Sequence, residues 1–241
     1  MVFPITFKLF KMIQFGIICE GVSEANVISH IIQRYLRDYD VVVNPIQPEI
    51  SLRGKQVDFG GWREVFKHCM EDIFEYILSF NDYIVIQIDT DVCEEVGYDI
   101  KKNKEDGTQK TDDELYVDIC ERLLKNIPVE SKGKYEEKII YAVCFNEIEC
   151  WLLPVLYTEE KKCRITQSCI NKLNDKLKSE DLFIPDKDKN SPNAKAAYSF
   201  ILKQLKKGRV IKEYSQFNLG FNKFIIQLDD IAAENIKNGE D

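Results

Sequence analysis

Histidine is almost missing from this 241-residue chain: there are two, His30 and His68, each inside a stretch of helical spacing. No Ser/His/Asp or Cys/His nucleophilic arrangement has a local signature here. Glycine (11) and proline (7) are too few for a fibrous or low-complexity protein, and 44% hydrophobic residues excludes a disordered one. No apolar run approaches the roughly 18 residues that a membrane span needs. The amino end, MVFPITFKLFKMIQFGIICEG, is interrupted by Lys8 and Lys11 and offers no small-residue cleavage site, which predicts no signal peptide. Residues 1–11 read as an extra edge strand or an upstream start, with the first core strand beginning near Met12. Positive charge is also short. Lys and Arg number 33 against 41 Asp and Glu, a net charge of −8. No global field draws in nucleic acid or an anionic membrane, so such contact must come from a local patch or a bound metal.

Cysteine pairs with metal-ligand spacing are lacking as well. The eight cysteines stand at 19, 69, 93, 120, 144, 150, 163 and 169, with no CxxC among them and several inside apolar runs. Zinc ligand pairs usually lie two to four residues apart, whereas Cys144/Cys150 and Cys163/Cys169 are separated by five. The expectation is eight free, reduced cysteines in a cytoplasmic protein of a size that needs no disulfide staples.

What is present is an alternation of strands and helices. IQFGIIC (13–19) is nearly all apolar, as a strand buried on both faces should be. Val27, Ile28, Ile31, Ile32 and Tyr35 then recur at helical spacing after Ser23, a plausible N-cap. VVVNPI (41–46), YIVIQI (83–88) and IIYAVCF (139–145) read as further strands, with helices over 62–79 and 113–125 between them. This order predicts an α/β fold with a mainly parallel sheet flanked by helices. The domain reading is an α/β catalytic domain over 12–155, with a mostly helical extension over 156–241 packed on it.

Two polar stretches interrupt the rhythm. Residues 94–113 are dense in mixed charge and read as a mobile excursion near a site. Residues 184–194 form a second break. From Lys187 to Lys212 there are eight basic residues and one acidic, so this stretch alone is strongly positive. In the predicted helix 195–207, Lys203, Lys206 and Lys207, with Arg209 just beyond, form the candidate nucleic-acid contact.

Ligands of parallel sheets bind beyond the carboxyl ends of the strands. Three of the four strands run directly into acids: Glu20 with Glu24, then Asp89 with Asp91, then Glu147 with Glu149. Carboxylates gathered at one edge repel each other unless a hard cation offsets them, and Mg²⁺ or Mn²⁺ takes oxygen ligands of this kind. The plainer readings are macrodipole stabilisation by Glu24, and by Glu147 and Glu149 for a helix starting near 147.

IICEGVSEANVISHII, IVIQIDTDV and FNEIECWLL together resemble the Toprim domain, in particular the branch related to OLD-family nucleases of bacterial defence systems. SQFNLGFNKFIIQL (215–228) is similar to the tail of a small Toprim-like family. The likeness covers most of the chain, in islands. It implies a Rossmann-like Toprim fold and a divalent-metal-dependent nuclease acting on nucleic acid, DNA ahead of RNA. By position it implies Glu20, Glu24, Asp89 and Asp91 as catalytic acids, with Glu20, Asp89, Asp91, Glu147 and Glu149 as ligands of Mg²⁺ or Mn²⁺. Lys195 is the candidate for an accompanying catalytic lysine. The chain has no G-x-x-x-x-G-K-S/T segment, so an ATPase would be a separate partner protein; a homodimer stays open. Two alternatives stand beside this. Asp89-Thr-Asp91-Val matches the D-x-D-x-T/V of haloacid-dehalogenase-type phosphotransferases, with Asp89 as nucleophile; or the sheet is a non-catalytic binding module.

Overall fold

The computed structural model describes residues 12–51, 56–57, 59–70, 73–127 and 135–237. The extra edge strand or upstream start read over residues 1–11 lies outside the described residues. Four strands form one all-parallel sheet: β1 (Ile13–Ile18), β2 (Val41–Gln47), β3 (Tyr83–Asp89) and β4 (Ile139–Cys144), in the order β2-β1-β3-β4. This is the α/β class predicted. The central strands are apolar but for Gln14 in β1 and Gln87 and the terminal Asp89 in β3, because both faces are covered. Phe15, Ile17, Val85, Ile140 and Ala142 point to one face, and Ile18, Ile84, Ile86, Ile88 and Val143 to the other.

Helix α1 (Val22–Tyr35) connects β1 to β2 over the first face, burying Val27, Ile28, Ile31 and Ile32. Helices α2 (Trp62–Met70), α3 (Ile73–Phe80) and α4 (Asp112–Asn126) cover the second. Connections therefore diverge between β1 and β3, the switch point at which parallel sheets open a crevice. Each large apolar side chain buried in these layers contributes about 1.5–3 kcal/mol.

Three local expectations are corrected. The single helix over 62–79 is two helices, because the buried face shifts: Trp62, Val65, Phe66 and Cys69 are buried in α2, but Phe74, Ile77 and Leu78 in α3, leaving Ile73 and Tyr76 exposed. One straight helix could not bury both sets. Ser23 is not the N-cap of α1. Gly21 holds that place and Ser23 lies inside the first turn, where its hydroxyl donates to Glu24. The predicted helix 195–207 is α8 (Pro192–Leu202) below; it stops early because the chain turns inward to bury Leu205.

After β4 come two 3-10 turns (Ile148–Leu152 and Lys178–Glu180) and six helices: α5 (Leu153–Leu156), α6 (Glu160–Cys163), α7 (Cys169–Leu177), α8, α9 (Gly208–Ser215) and α10 (Leu219–Lys237). The helices and the first of these turns share one apolar core with α1 and the first face of the sheet. Trp151 stacks on Phe221 at 4.7 Å between ring centres, and on Phe224 at 5.7 Å, so the 215–228 segment supplies the platform for the tryptophan. Gly220 is required there. A Cβ would sit 1.9 Å from the Val143 carbonyl oxygen, so only glycine lets α10 lie directly on β4.

The all-reduced cysteine expectation is also corrected. Cys150 and Cys169 form a disulfide, with Cα atoms 5.1 Å apart; Cys19, Cys69, Cys93, Cys120, Cys144 and Cys163 are free. The bond joins the 3-10 turn to α7. Packing, rather than sequence spacing, makes these two cysteines neighbours. No described helix is long and apolar enough to cross a membrane.

Candidate active site

The carboxyl ends of β1 and β3 lie side by side, and their acids meet there. Glu20 follows β1; its backbone N–H donates to Gln87 Oε1 at 3.0 Å, and its carboxylate Oε1 accepts the Asp89 backbone N–H at 2.7 Å. Gln87 Nε2 in turn donates to Asp89 Oδ1 at 2.8 Å. Gln87 and Asp89 are two residues apart in β3 and so share a face, which aims the Asp89 carboxylate toward α1. Gly61 closes the loop behind, donating its N–H to the Glu20 carbonyl at 2.7 Å, while neighbouring Gly60 lies so close that a Cβ would stand 2.4 Å from that same oxygen.

Glu24 comes from the first turn of α1. Its carboxylate accepts the Ser23 hydroxyl at 2.8 Å and faces the Lys189 ammonium at 3.5 Å. Glu149, on the 3-10 turn, is fully buried beneath the pocket. Lys189 Nζ reaches both of its oxygens, at 2.9 and 3.0 Å, and the Tyr198 hydroxyl from α8 donates to Oε1. Glu20, Glu24, Asp89 and Lys189, with Asp186 and Asn190, line an open pocket of about 290 Å³.

Glu20, Glu24, Asp89 and Glu149 thus share the field of one ammonium, that of Lys189, while Lys187 and Asp186 also line the pocket. Burial, and then the charges of Glu20 and Glu24, hold the Asp89 carboxyl well above the usual carboxylate range. Burial also raises Glu20, helped by Glu24 and Asp91 and opposed by the Asp89 N–H bond. Burial would lower Lys189, but Glu149, Glu24 and Asp89 more than reverse this and fix it as a cation. Among the described residues, Glu20 Oε2 and Asp89 Oδ2 accept no hydrogen bond. Two desolvated, mutually repelling carboxylates with unused oxygens on an open pocket are oxygen donors of the kind that a hard divalent ion takes.

The other predicted residues divide. Asp91 is exposed on the turn after β3, where Oδ1 accepts the Val92 N–H at 2.8 Å. Glu147 does not join the cluster. Asn146 turns the chain in the left-handed region (φ 68°), and Glu147 Oε1 accepts the Ile170 N–H at 3.0 Å, capping α7. Its carboxylate lies instead beside the Cys150 and Cys169 sulfurs. Lys195 is exposed on α8; the lysine that reaches the acids is Lys189. Lys203, Lys206 and Lys207 are on the turn beyond α8, and Arg209 is on α9. The 94–113 excursion does adjoin the site. Tyr98 is fully buried and its hydroxyl donates to the Asp89 carbonyl at 3.2 Å, and Arg122 holds the Gly97 and Tyr98 carbonyls.

Sequence reasoning missed Gln87, Lys189 and Tyr198. Gln87 carried a signal, being a polar side chain within an otherwise apolar strand and two residues before Asp89. Lys189 carried only its place in the polar break at 184–194, 165 positions from Glu24. Comparisons of the chain with protein-family models, with curated proteins and with solved structures returned no match.

Proposed function

We propose that this protein is a divalent-metal-dependent nuclease of the Toprim-like kind, hydrolysing phosphodiester bonds of nucleic acid, DNA ahead of RNA. The observation that carries this reading is the pairing of Glu20 and Asp89 at the ends of adjacent parallel strands, each with a free carboxylate oxygen on one pocket. Glu20 and Asp89 would hold Mg²⁺ or Mn²⁺. A divalent ion bound there supplies charge for the phosphoryl oxygens and acidifies an attacking water.

The chain's own residues do the rest. Gln87 and the Asp89 N–H fix the two carboxylates relative to each other before anything binds, so little reorganisation is left to the reaction. Glu24, oriented by Ser23 and Lys189, faces the pocket as the group to accept a proton from water. Lys189, anchored on buried Glu149, presents a permanent positive charge to an entering phosphate. A nucleotide-driven step would belong to a separate ATPase, consistent with a role in defence.

The test is cleavage of supercoiled, linear and single-stranded substrates with Mn²⁺ and Mg²⁺, comparing wild type with Asp89→Asn. Metal-dependent cleavage lost in the variant is expected. Equal cleavage by both proteins, or none by wild type, refutes the assignment. A covalent phosphate on Asp89 would replace it with the phosphotransferase alternative.

A further inference from the structure

A second pocket, of about 380 Å³, shares the wall formed by Ser23, Lys189 and Asn190 with the acidic one. It runs between α1 and α8, which pack against each other. From α1 it takes Asn26, His30 and Arg34, and from α8 and its last turn Lys195, Ser199 and Lys203. Each set is spaced four and eight residues apart, so each forms one stripe along its helix, roughly 12 Å long at 1.5 Å per residue. Both helices begin beside the shared wall, at Ser23 and just after Asn190, so both stripes lead away from the acids.

The charge of this groove is opposite to that of the chain. Arg34, Lys189, Lys195 and Lys203 line it and no carboxylate does, in a protein of net charge −8. Elsewhere many surface lysines are paired with acids, as Lys104 is with Glu114 and Lys212 with Asp229. Arg34, Lys195 and Lys203 are exposed and form no salt bridge among the described residues. His30 is turned to the Leu205 carbonyl at 3.1 Å, closing the floor. Asn26 and Ser199 add neutral hydrogen-bonding groups.

We infer that this α1–α8 groove binds the phosphates of a single-stranded polynucleotide and leads its chain to the acidic pocket. A length of roughly 12 Å accommodates about three phosphates at ~3.4 Å along a stacked strand. Tyr198 is buried against Glu149 and the half-buried His30 ring is held on the Leu205 carbonyl, so the lining offers no exposed Phe, Tyr or Trp ring for base stacking. Recognition is therefore of the backbone and indifferent to sequence. The inference deepens the proposed nuclease reading by naming its substrate strand and path, but it concerns binding and is measured separately.

The test is fluorescence anisotropy of a labelled single-stranded oligodeoxynucleotide at several salt concentrations, with EDTA present. The proteins are wild type, Arg34→Gln/Lys203→Gln, Asp89→Asn and Lys161→Gln, an exposed lysine of α6 away from the groove. The double variant should bind at least about tenfold more weakly, and its log–log salt slope should fall by about 1.4, at ~0.7 for each phosphate no longer neutralised. Lys161→Gln should match wild type, and Asp89→Asn should bind as well or better because a neighbouring negative charge is gone. Unchanged affinity and slope in the double variant, with its melting temperature intact, overturn the groove, as does absence of binding by wild type. Tighter binding of a duplex of the same sequence, with the same dependence on Arg34 and Lys203, overturns the single-strand assignment. If wild type binds through these residues yet cleaves nothing with either metal, the groove stands and the nuclease reading fails.

Discussion

Replacing Asp89 by asparagine should stabilise the metal-free protein and abolish its response to Mn²⁺. The substitution keeps shape and keeps an oxygen that can accept the Gln87 amide, so the hydrogen bond at 2.8 Å survives. What it removes is a negative charge on a side chain 8% exposed, facing Glu20 and Glu24. Relieving a buried, repelled carboxylate contributes several kcal/mol at most, and about 1–3 kcal/mol once relaxation and protonation are allowed for. For a chain of this size that is roughly 2–12 °C in melting temperature. The sign follows from linkage. A carboxyl raised in the folded state costs stability as pH rises above its unfolded value, so the advantage of the variant widens from pH 5 to pH 8. Wild type at a thousandfold excess of Mn²⁺ over its Kd should gain about 4.1 kcal/mol, and the variant nothing. The melting curves should therefore cross: variant higher in EDTA, wild type higher in Mn²⁺. Differential scanning calorimetry at both pH values measures it. A variant that melts lower in EDTA, or keeps the wild-type shift with Mn²⁺, would show that Asp89 is a satisfied structural acid.

Further outcomes follow from the same geometry. Lys189→Met leaves Glu149 buried without its counter-charge and should cost about 3–5 kcal/mol, and Glu149→Gln in the same chain should recover part of it; additive losses in a denaturation cycle would disprove the coupling. Glu20, pushed up to about 8 chiefly by burial, should make metal-free stability fall between about pH 5 and pH 8, and Glu20→Gln should flatten that slope by about 1–2 kcal/mol across the interval after allowance for its partial exposure. An equal slope in both proteins would place the titration elsewhere. Cutting the Cys150–Cys169 bond, which closes a span of 19 residues, should lower stability by roughly 3 kcal/mol; an identical melting temperature with and without reductant would argue against the bond in solution.

The four strands and the location of the acids were legible because they depend on local pattern. A strand buried on both faces must be largely apolar, and IQFGII, YIVIQI and IIYAVC meet that demand, with Gln14 and Gln87 the polar exceptions, without reference to anything distant. An acid immediately after such a run lies at the carboxyl edge by chain geometry alone, which placed Glu20 and Asp89 together once the sheet was parallel. Adjacency did require the strand order, since β1 and β3 are neighbours only because β2 lies on the outer side of β1.

What local pattern could not supply was which charged group faces which. Glu147 and Glu149 are two residues apart and alike in sequence, yet the left-handed turn at Asn146 and the 3-10 turn after it send one to cap α7 and the other under the pocket. Lys189 and Lys195 stand six positions apart in the same basic stretch; only the docking of the 184–191 connection against α1 decides that Lys189 meets the acids while Lys195 lines the groove. The Cys150–Cys169 pair has the same origin. Periodicity reports what is buried, because burial is an average over a face and every residue of that face contributes to it. The partner of a single charge or thiol is one contact, made by a fold that closes over many residues at once, and no local spacing encodes it.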